Sequence, residues 1–153
     1  MPTPAKLVSA LLFAALSWWV AETIVREVLP EGRRVGLFRE GLAVLGLFVG
    51  WHVIGGEASG KVGRGTTISR AVTAGFAAAL ILLVLGLLLE SLREMLTRSL
   101  DRAYTEVGQA ANAWMTLLWR DAELVADPVV LGTLFGGGML VGLVAGIVGR
   151  VWR

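Results

Sequence analysis

Ala71-Val72-Thr73-Ala74-Gly75-Phe76-Ala77-Ala78-Ala79-Leu80-Ile81-Leu82-Leu83-Val84-Leu85-Gly86-Leu87-Leu88-Leu89 is a run of 19 residues without a single charge. At about 1.5 Å of rise per residue, a helix of this length reaches across the roughly 30 Å hydrocarbon core of a bilayer. Three further apolar runs accompany it: Leu7 to Ala21, Gly41 to Gly56, and Val129 to Gly149 with Arg150 just behind. The first two reach spanning length only with flanking polar residues, Lys6 and Glu22 for one and Arg39 and Glu40 for the other, whose long side chains can reach back to the interface. The expected fold is therefore an all-α membrane protein in one domain, 1–153. Its transmembrane helices fall at about 5–25, 38–56, 69–89 and 129–149, with an additional amphipathic helix at about 91–125.

Composition agrees. Hydrophobic residues make up 56% and charged residues 17%, against about 25% charged in an ordinary soluble domain. The net charge of +2 is the residue of 14 basic and 12 acidic side chains placed mostly at the ends of apolar runs, where Lys and Arg anchor helices at the membrane interface. The expected partner is the lipid bilayer, and nucleic acid is not expected. With no cysteine in the chain, disulfide scaffolds, thiolate metal sites and thiol redox chemistry are excluded. Lys6 and the apolar run after it have the outline of a signal peptide, but Trp18, Trp19 and Val20 continue the run past Ala15-Leu16-Ser17, which points to an uncleaved first helix.

Turn chemistry punctuates the runs. Leu29-Pro30-Glu31-Gly32 ends the first helical unit, Gly55-Gly56 ends the second apolar run, and Thr66 or Thr67 can cap the third helix. Asp127-Pro128 supplies a capping residue followed by Pro at the first helical position of the last helix. Between the third and fourth runs, Leu92, Leu96, Leu100, Ala103, Val107, Ala110, Trp114 and Leu117 recur every three or four residues, the period of a helix with one apolar face. Glu94 with Arg98 and Arg102 with Glu106 are opposite charges four apart, which favour that helix further. Unbroken, it would reach about 50 Å, so a bend near Gly108 is expected.

Chemistry-bearing residues are sparse inside the spans. Ionisable groups at membrane depth are costly and mark function, yet His52 is the sole histidine and the only ionisable group within the apolar runs. It is a candidate polar site, though one His does not make a metal or haem centre. Gly60-Lys61-Val62-Gly63-Arg64-Gly65-Thr66-Thr67 has the look of a phosphate loop, but Thr66 stands where its Lys belongs and no strand precedes it. Carboxylates lie outside the apolar runs with no active-site spacing. No enzyme, metal or cofactor is expected.

Small residues are better placed. Gly138, Gly142 and Gly146 lie four apart on one face of the last helix, Gly46 and Gly50 form a G-x-x-x-G in the second, and Ala71, Gly75 and Ala79 mark a face of the third. Such faces let backbones approach where the hydrophobic effect cannot drive association. They are candidates for packing within one bundle, or for a homo-oligomer or a membrane-protein partner. Gly142 is expected to meet the second or third helix, and Val141, about 100° around the helix, to matter less.

Met1-Pro2-Thr3-Pro4-Ala5-Lys6-Leu7-Val8, Leu12-Phe13-Ala14-Ala15-Leu16, Leu29-Pro30-Glu31-Gly32, Gly46-Leu47-Phe48-Val49-Gly50-Trp51, Glu94-Met95-Leu96 and Asp127-Pro128-Val129-Val130-Leu131-Gly132-Thr133-Leu134 resemble, in order and spacing, the TrgA family of bacterial tellurite-resistance membrane proteins. The resemblance runs almost end to end and implies a small integral protein of the bacterial inner membrane with an accessory part in oxyanion tolerance. It supplies no set of functional residues. The alternative from the residues themselves is a subunit of a small oligomeric channel or transporter, motivated by the glycine faces and His52. Four spans put both termini and the 57–70 loop on one side, with six Lys and Arg against eight on the other; the six lie in short segments, where the positive-inside bias is read. The termini are expected in the cytoplasm.

Overall fold

The computed structural model describes residues 3–28, 36–59, 67–100 and 106–151. The turn at Leu29 to Gly32, the Gly-rich segment from Gly60 to Thr66, and the Arg102 partner of Glu106 lie outside the described residues. Five helices carry the chain and no strand occurs among the described residues. Helix α1 (Pro4–Thr23) begins with Pro4 at its first position and runs on through a wider π-helical turn, Ile24–Val28. Helix α2 spans Phe38–Ala58 and contains a second π-helical turn at Gly50–Ile54. Helices α3 (Ile68–Leu100), α4 (Val107–Val125) and α5 (Pro128–Val151) complete the fold.

Four of these helices, α1, α2, α3 and α5, are long and apolar enough to cross a membrane. Their outer faces carry large apolar side chains, among them Leu11, Trp19, Phe48, Leu140 and Ile147. In water this surface would be unfavourable, whereas in lipid the surrounding medium is as apolar as the side chains. The protein is an all-α membrane protein, with α4 as an additional amphipathic helix between the third and fourth spans.

The spans pair off. Helix α1 packs along α2, α3 packs along α5, and α1 against α5 joins the two pairs. The shared core contains Phe13, Val20, Ile24, Val49, Ile54, Ala78, Ala79, Leu82, Val130, Leu134 and Ala145. Phe76 and Phe135 stack at 4.9 Å on the flank of the α3–α5 pair. At the terminus end, Thr3 and Ser59 hydroxyls share a 2.6 Å hydrogen bond that ties the start of α1 to the end of α2. At the other end, Gly36 takes φ +51, a left-handed conformation that glycine adopts without strain, immediately before α2. Asp127 caps α5 by accepting hydrogen bonds from the Val129 and Val130 amides at 2.8 and 3.4 Å.

The region expected as one amphipathic helix is divided. Its first part, from Ser91 to Leu100, is the continuation of α3, which reaches about 50 Å over its 33 residues and so overshoots the bilayer. Helix α4 then starts at Val107, so the interruption falls before Gly108. The apolar face does not run through: Leu96, Leu100 and Val107 are exposed, while Leu117 is buried. A periodic face keeps its phase only along one continuous helix, and the break between α3 and α4 resets it. Helix α4 folds back on the overshoot of α3 and touches the π-helical turn after α1.

Candidate functional site

Two features are built from side chains distant in sequence. The first is a pair of close helix seams. In the α3–α5 seam, a methyl group added at Gly142 would collide with the Ala71 carbonyl oxygen and lie 3.0 Å from Cα and N of Gly75. One added at Gly75 would run into the Gly138 carbonyl, and one at Gly138 would lie 2.8 Å from the Gly75 oxygen and 3.0 Å from Ala79 Cβ. Gly146 sits over Ala71, whose Cβ would be 2.7 Å from the added carbon. Gly75, Gly138 and Gly142 are thus brought together in backbone-to-backbone contact, and Gly146 extends the seam over the Ala71 methyl.

Gly46 and Gly50 belong to the other seam. Their partner face is on α1: an added methyl at Gly46 would overlap the Ser17 hydroxyl, and one at Gly50 would lie 2.8 Å from both Phe13 Cβ and the Ser9 carbonyl. Gly55 continues the row against Ser9 and Lys6. Ser9 and Ser17 are fully buried there, and each satisfies its hydroxyl by donating to a carbonyl of its own helix, Lys6 at 3.0 Å and Phe13 at 2.6 Å. The small residues Ser9, Ala10 and Ser17 were the available signal for this partner face. Val141, expected to matter less than Gly142, is partly buried against the core, and the lipid-facing positions of α5 include Leu140, Val144 and Ile147.

His52 is exposed on the outer side of the π-helical turn of α2, its Nδ1 3.0 Å from the Phe48 carbonyl oxygen. Thr73 and Thr133 likewise donate to carbonyls one turn back, at Ser69 and Val129. The structure does not bring these polar groups together.

The second feature is a cavity of about 70 Å³ where all five helices converge, at the end of the bundle opposite the termini. Val20 and Ile24 of α1, Phe38 and Leu42 of α2, Leu82, Leu83, Gly86 and Leu87 of α3, Leu124 and Val125 of α4, and Leu134 of α5 form its apolar wall. Among the described residues two polar side chains line it, Glu90 and Asp121. Among the described residues Asp121 is the one buried charged side chain, at 5% exposure. Helix α4 brings it there, because Leu117 and Asp121 lie one turn apart on the face that packs on α3.

An ion-pair cluster backs these two carboxylates from outside. Arg93 donates to Glu90 through Nε at 2.9 Å and Nη2 at 2.6 Å. Arg120 bridges helices, reaching Glu94 of α3 at 2.7 Å and its neighbour Asp121 at 2.9 Å, while Arg98 also reaches Glu94 at 2.6 Å. Burial pulls on the Arg120 guanidinium in the opposite direction, but hydrogen bonds and charge from Asp121 and Glu94 outweigh it and raise its pKa above the ordinary value. It therefore stays cationic throughout any working pH range. Trp114 Nε1 donates to Ser91 Oγ at 3.0 Å, and Ser91 in turn to the Leu88 carbonyl at 3.2 Å, a second polar link between α4 and α3. Across the α1–α2 connection, Glu22 pairs with Arg26 at 2.5 Å and with Arg39 at 2.6 Å.

Among the described residues no group of three His, Asp or Glu side chains could hold a metal ion. Comparison with protein-family models, curated proteins and solved structures finds no match to this chain.

Proposed function

We propose that this protein is a non-enzymatic accessory component of a bacterial inner membrane that supports tolerance of an oxyanion such as tellurite, with both termini in the cytoplasm. The resemblance of its sequence blocks to tellurite-resistance membrane proteins motivates the substrate class. The observation that carries the accessory role is the closure of both glycine seams: the spans meet backbone to backbone, and Ser9, Ser17, Thr73 and Thr133 turn their hydroxyls to their own helices. A bundle closed in this way favours a packed scaffold over a pathway through the single chain. The glycine faces that motivated a channel are occupied within the chain, and His52 points outward.

Charge supports the same reading. The terminus side carries six Lys and Arg against one Glu, and the opposite side eight Arg against eleven Asp and Glu. A basic terminus side suits the cytoplasmic leaflet, whose anionic lipids attract it. An acidic far side, with a cavity whose polar lining among the described residues is two carboxylates, repels an oxyanion, so the role is an indirect one.

Deletion of the gene, followed by parallel measurement of tellurite tolerance and cellular tellurium, tests this. Reduced tolerance with unchanged uptake is expected. Unchanged tolerance refutes the oxyanion role, and reduced tolerance with altered uptake favours a transporter. Export-dependent phosphatase activity in a fusion after the last residue would reverse the orientation.

A further inference from the structure

The cavity at the convergence of the five helices has a lining with one chemical sense. Its walls are aliphatic and aromatic, and the polar side chains on it among the described residues, Glu90 and Asp121, are hydrogen-bond acceptors. Among the described residues no side-chain donor lines it. The arginines that pair with these carboxylates approach from outside and remain half in solvent, Arg93 at 52% and Arg120 at 40% side-chain exposure. Ligand pockets characteristically combine such an apolar wall with a few convergent polar groups that fix orientation.

The volume sets a scale. One water needs roughly 10 to 15 Å³ of such space, so the cavity is several waters in size. About 70 Å³ therefore suits part of an alkyl chain. The head of such a molecule would meet carboxylate oxygens first. A cation with N–H donors can take them over from Arg93 and Arg120, whose exposed guanidinium groups return to water at little cost. An anionic head finds two carboxylates and, among the described residues, no side-chain donor, and a neutral hydroxyl can donate a hydrogen bond to a carboxylate but brings no charge to offset it.

We propose that this cavity is a binding site for an amphiphilic amine: its alkyl chain lies between Phe38, Leu42, Leu83 and Leu134, and its ammonium sits at Glu90 and Asp121. The site is independent of the oxyanion role, and its test uses purified protein. The location at the overshooting end of α3 places the ammonium at the level where the chain leaves the hydrocarbon and the carboxylates begin, so the ligand keeps the orientation of a lipid in that leaflet. Helix α4 contributes Asp121 and two wall residues, so it is both roof and half of the head-group site.

The experiment measures the thermal midpoint of the full chain in a non-ionic detergent with dodecylammonium, dodecanol or dodecanoate at one concentration. Binding to the folded state should raise the midpoint by roughly 5 to 10 °C when dodecylammonium reaches one hundred times its dissociation constant. Dodecanol should act weakly and dodecanoate not at all. Leu83→Phe, which fills the cavity, and Glu90→Gln, which removes a charge at its mouth, should each abolish the dodecylammonium shift; two variants of opposite kind guard against one failing to fold, and the three-ligand comparison on the unaltered protein needs neither. No shift with dodecylammonium, an equal shift with dodecanol, a larger one with dodecanoate, or a shift that survives Leu83→Phe overturns the proposal.

Discussion

Gly142→Ala adds one carbon to a helix that would otherwise welcome it. Alanine is favoured over glycine in a helix by about 1 kcal/mol, and at a position open to lipid that gain should be realised. Gly136 is such a position: it is exposed, and nothing lies within 4 Å of a carbon added there. At Gly142 the same carbon collides with the Ala71 carbonyl and crowds Gly75 Cα and N at 3.0 Å. These are backbone atoms of a helix, with no rotamer to yield. Restoring ordinary contact requires α5 to move off α3 by about 1 Å, and a gap of that size forfeits a quarter to a half of the dispersion energy along the seam. Overpacking of this kind costs about 1–3 kcal/mol. Set against the helix gain, Gly142→Ala should destabilise the protein by up to about 2 kcal/mol and Gly136→Ala should stabilise it by about 0.5–1 kcal/mol. Equilibrium unfolding in mixed micelles, monitored by helical circular dichroism, measures both. Changes of the same sign, or within about 0.5 kcal/mol of each other, which is the spread of ordinary surface substitutions, would refute the account of the seam.

Arg120→Ala leaves the buried Asp121 and the bridge to Glu94 without their shared partner and should cost about 1–3 kcal/mol, whereas Arg98→Ala, on the solvent side of the same cluster, should stay within about 0.5 kcal/mol; the same unfolding titration compares them. Trp114→Phe keeps an aromatic ring and removes the donor to Ser91, so amide hydrogen exchange in α4 should accelerate several-fold while α1 and α5 are unaffected, and unchanged exchange in α4 would show that the link does not hold it. Asp127→Ala removes the cap of α5 at a cost of about 1 kcal/mol, and Asp127→Asn should recover most of it. Single cysteines at Leu140 and Val144, in a chain with no native cysteine, should resist aqueous thiol reagents and react only after the membrane is dissolved.

The spans were legible because a membrane leaves a one-dimensional record: apolar length against bilayer thickness. The 71–89 run marks where α3 is apolar, yet the helix continues to Leu100. Glu90 ends the hydropathy signal, but Glu90 with Arg93 and Glu94 with Arg98 keep the backbone helical, so the end of lipid and the end of helix part company. The four-residue spacing of Gly138, Gly142 and Gly146 marks a face, and nothing in that spacing says that it faces Gly75 while Gly46 and Gly50 face two serines. Pairing is a property of the bundle. The cavity was illegible for the same reason, since its lining runs from Val20 to Leu134 through five helices and its two carboxylates belong to segments 31 positions apart. A pairwise approach of that kind leaves no periodic trace.

The seam between α3 and α5 also sets a schedule for biosynthesis. Helix α1 and its seam partner α2 emerge one after the other, so their close contact can form as a hairpin as soon as both are in the membrane. Gly75 must wait for Gly142, which follows it by 67 residues. At ribosomal rates of about 5 to 20 residues per second that wait lasts roughly 3 to 13 s. During it the Ala71, Gly75 and Ala79 face of α3 meets only acyl chains, with α4 still to be made. Whatever else encounters the nascent chain in those seconds meets a helix shaped for close backbone contact and not yet taken, so fidelity of assembly rests on the last helix arriving before a stranger does.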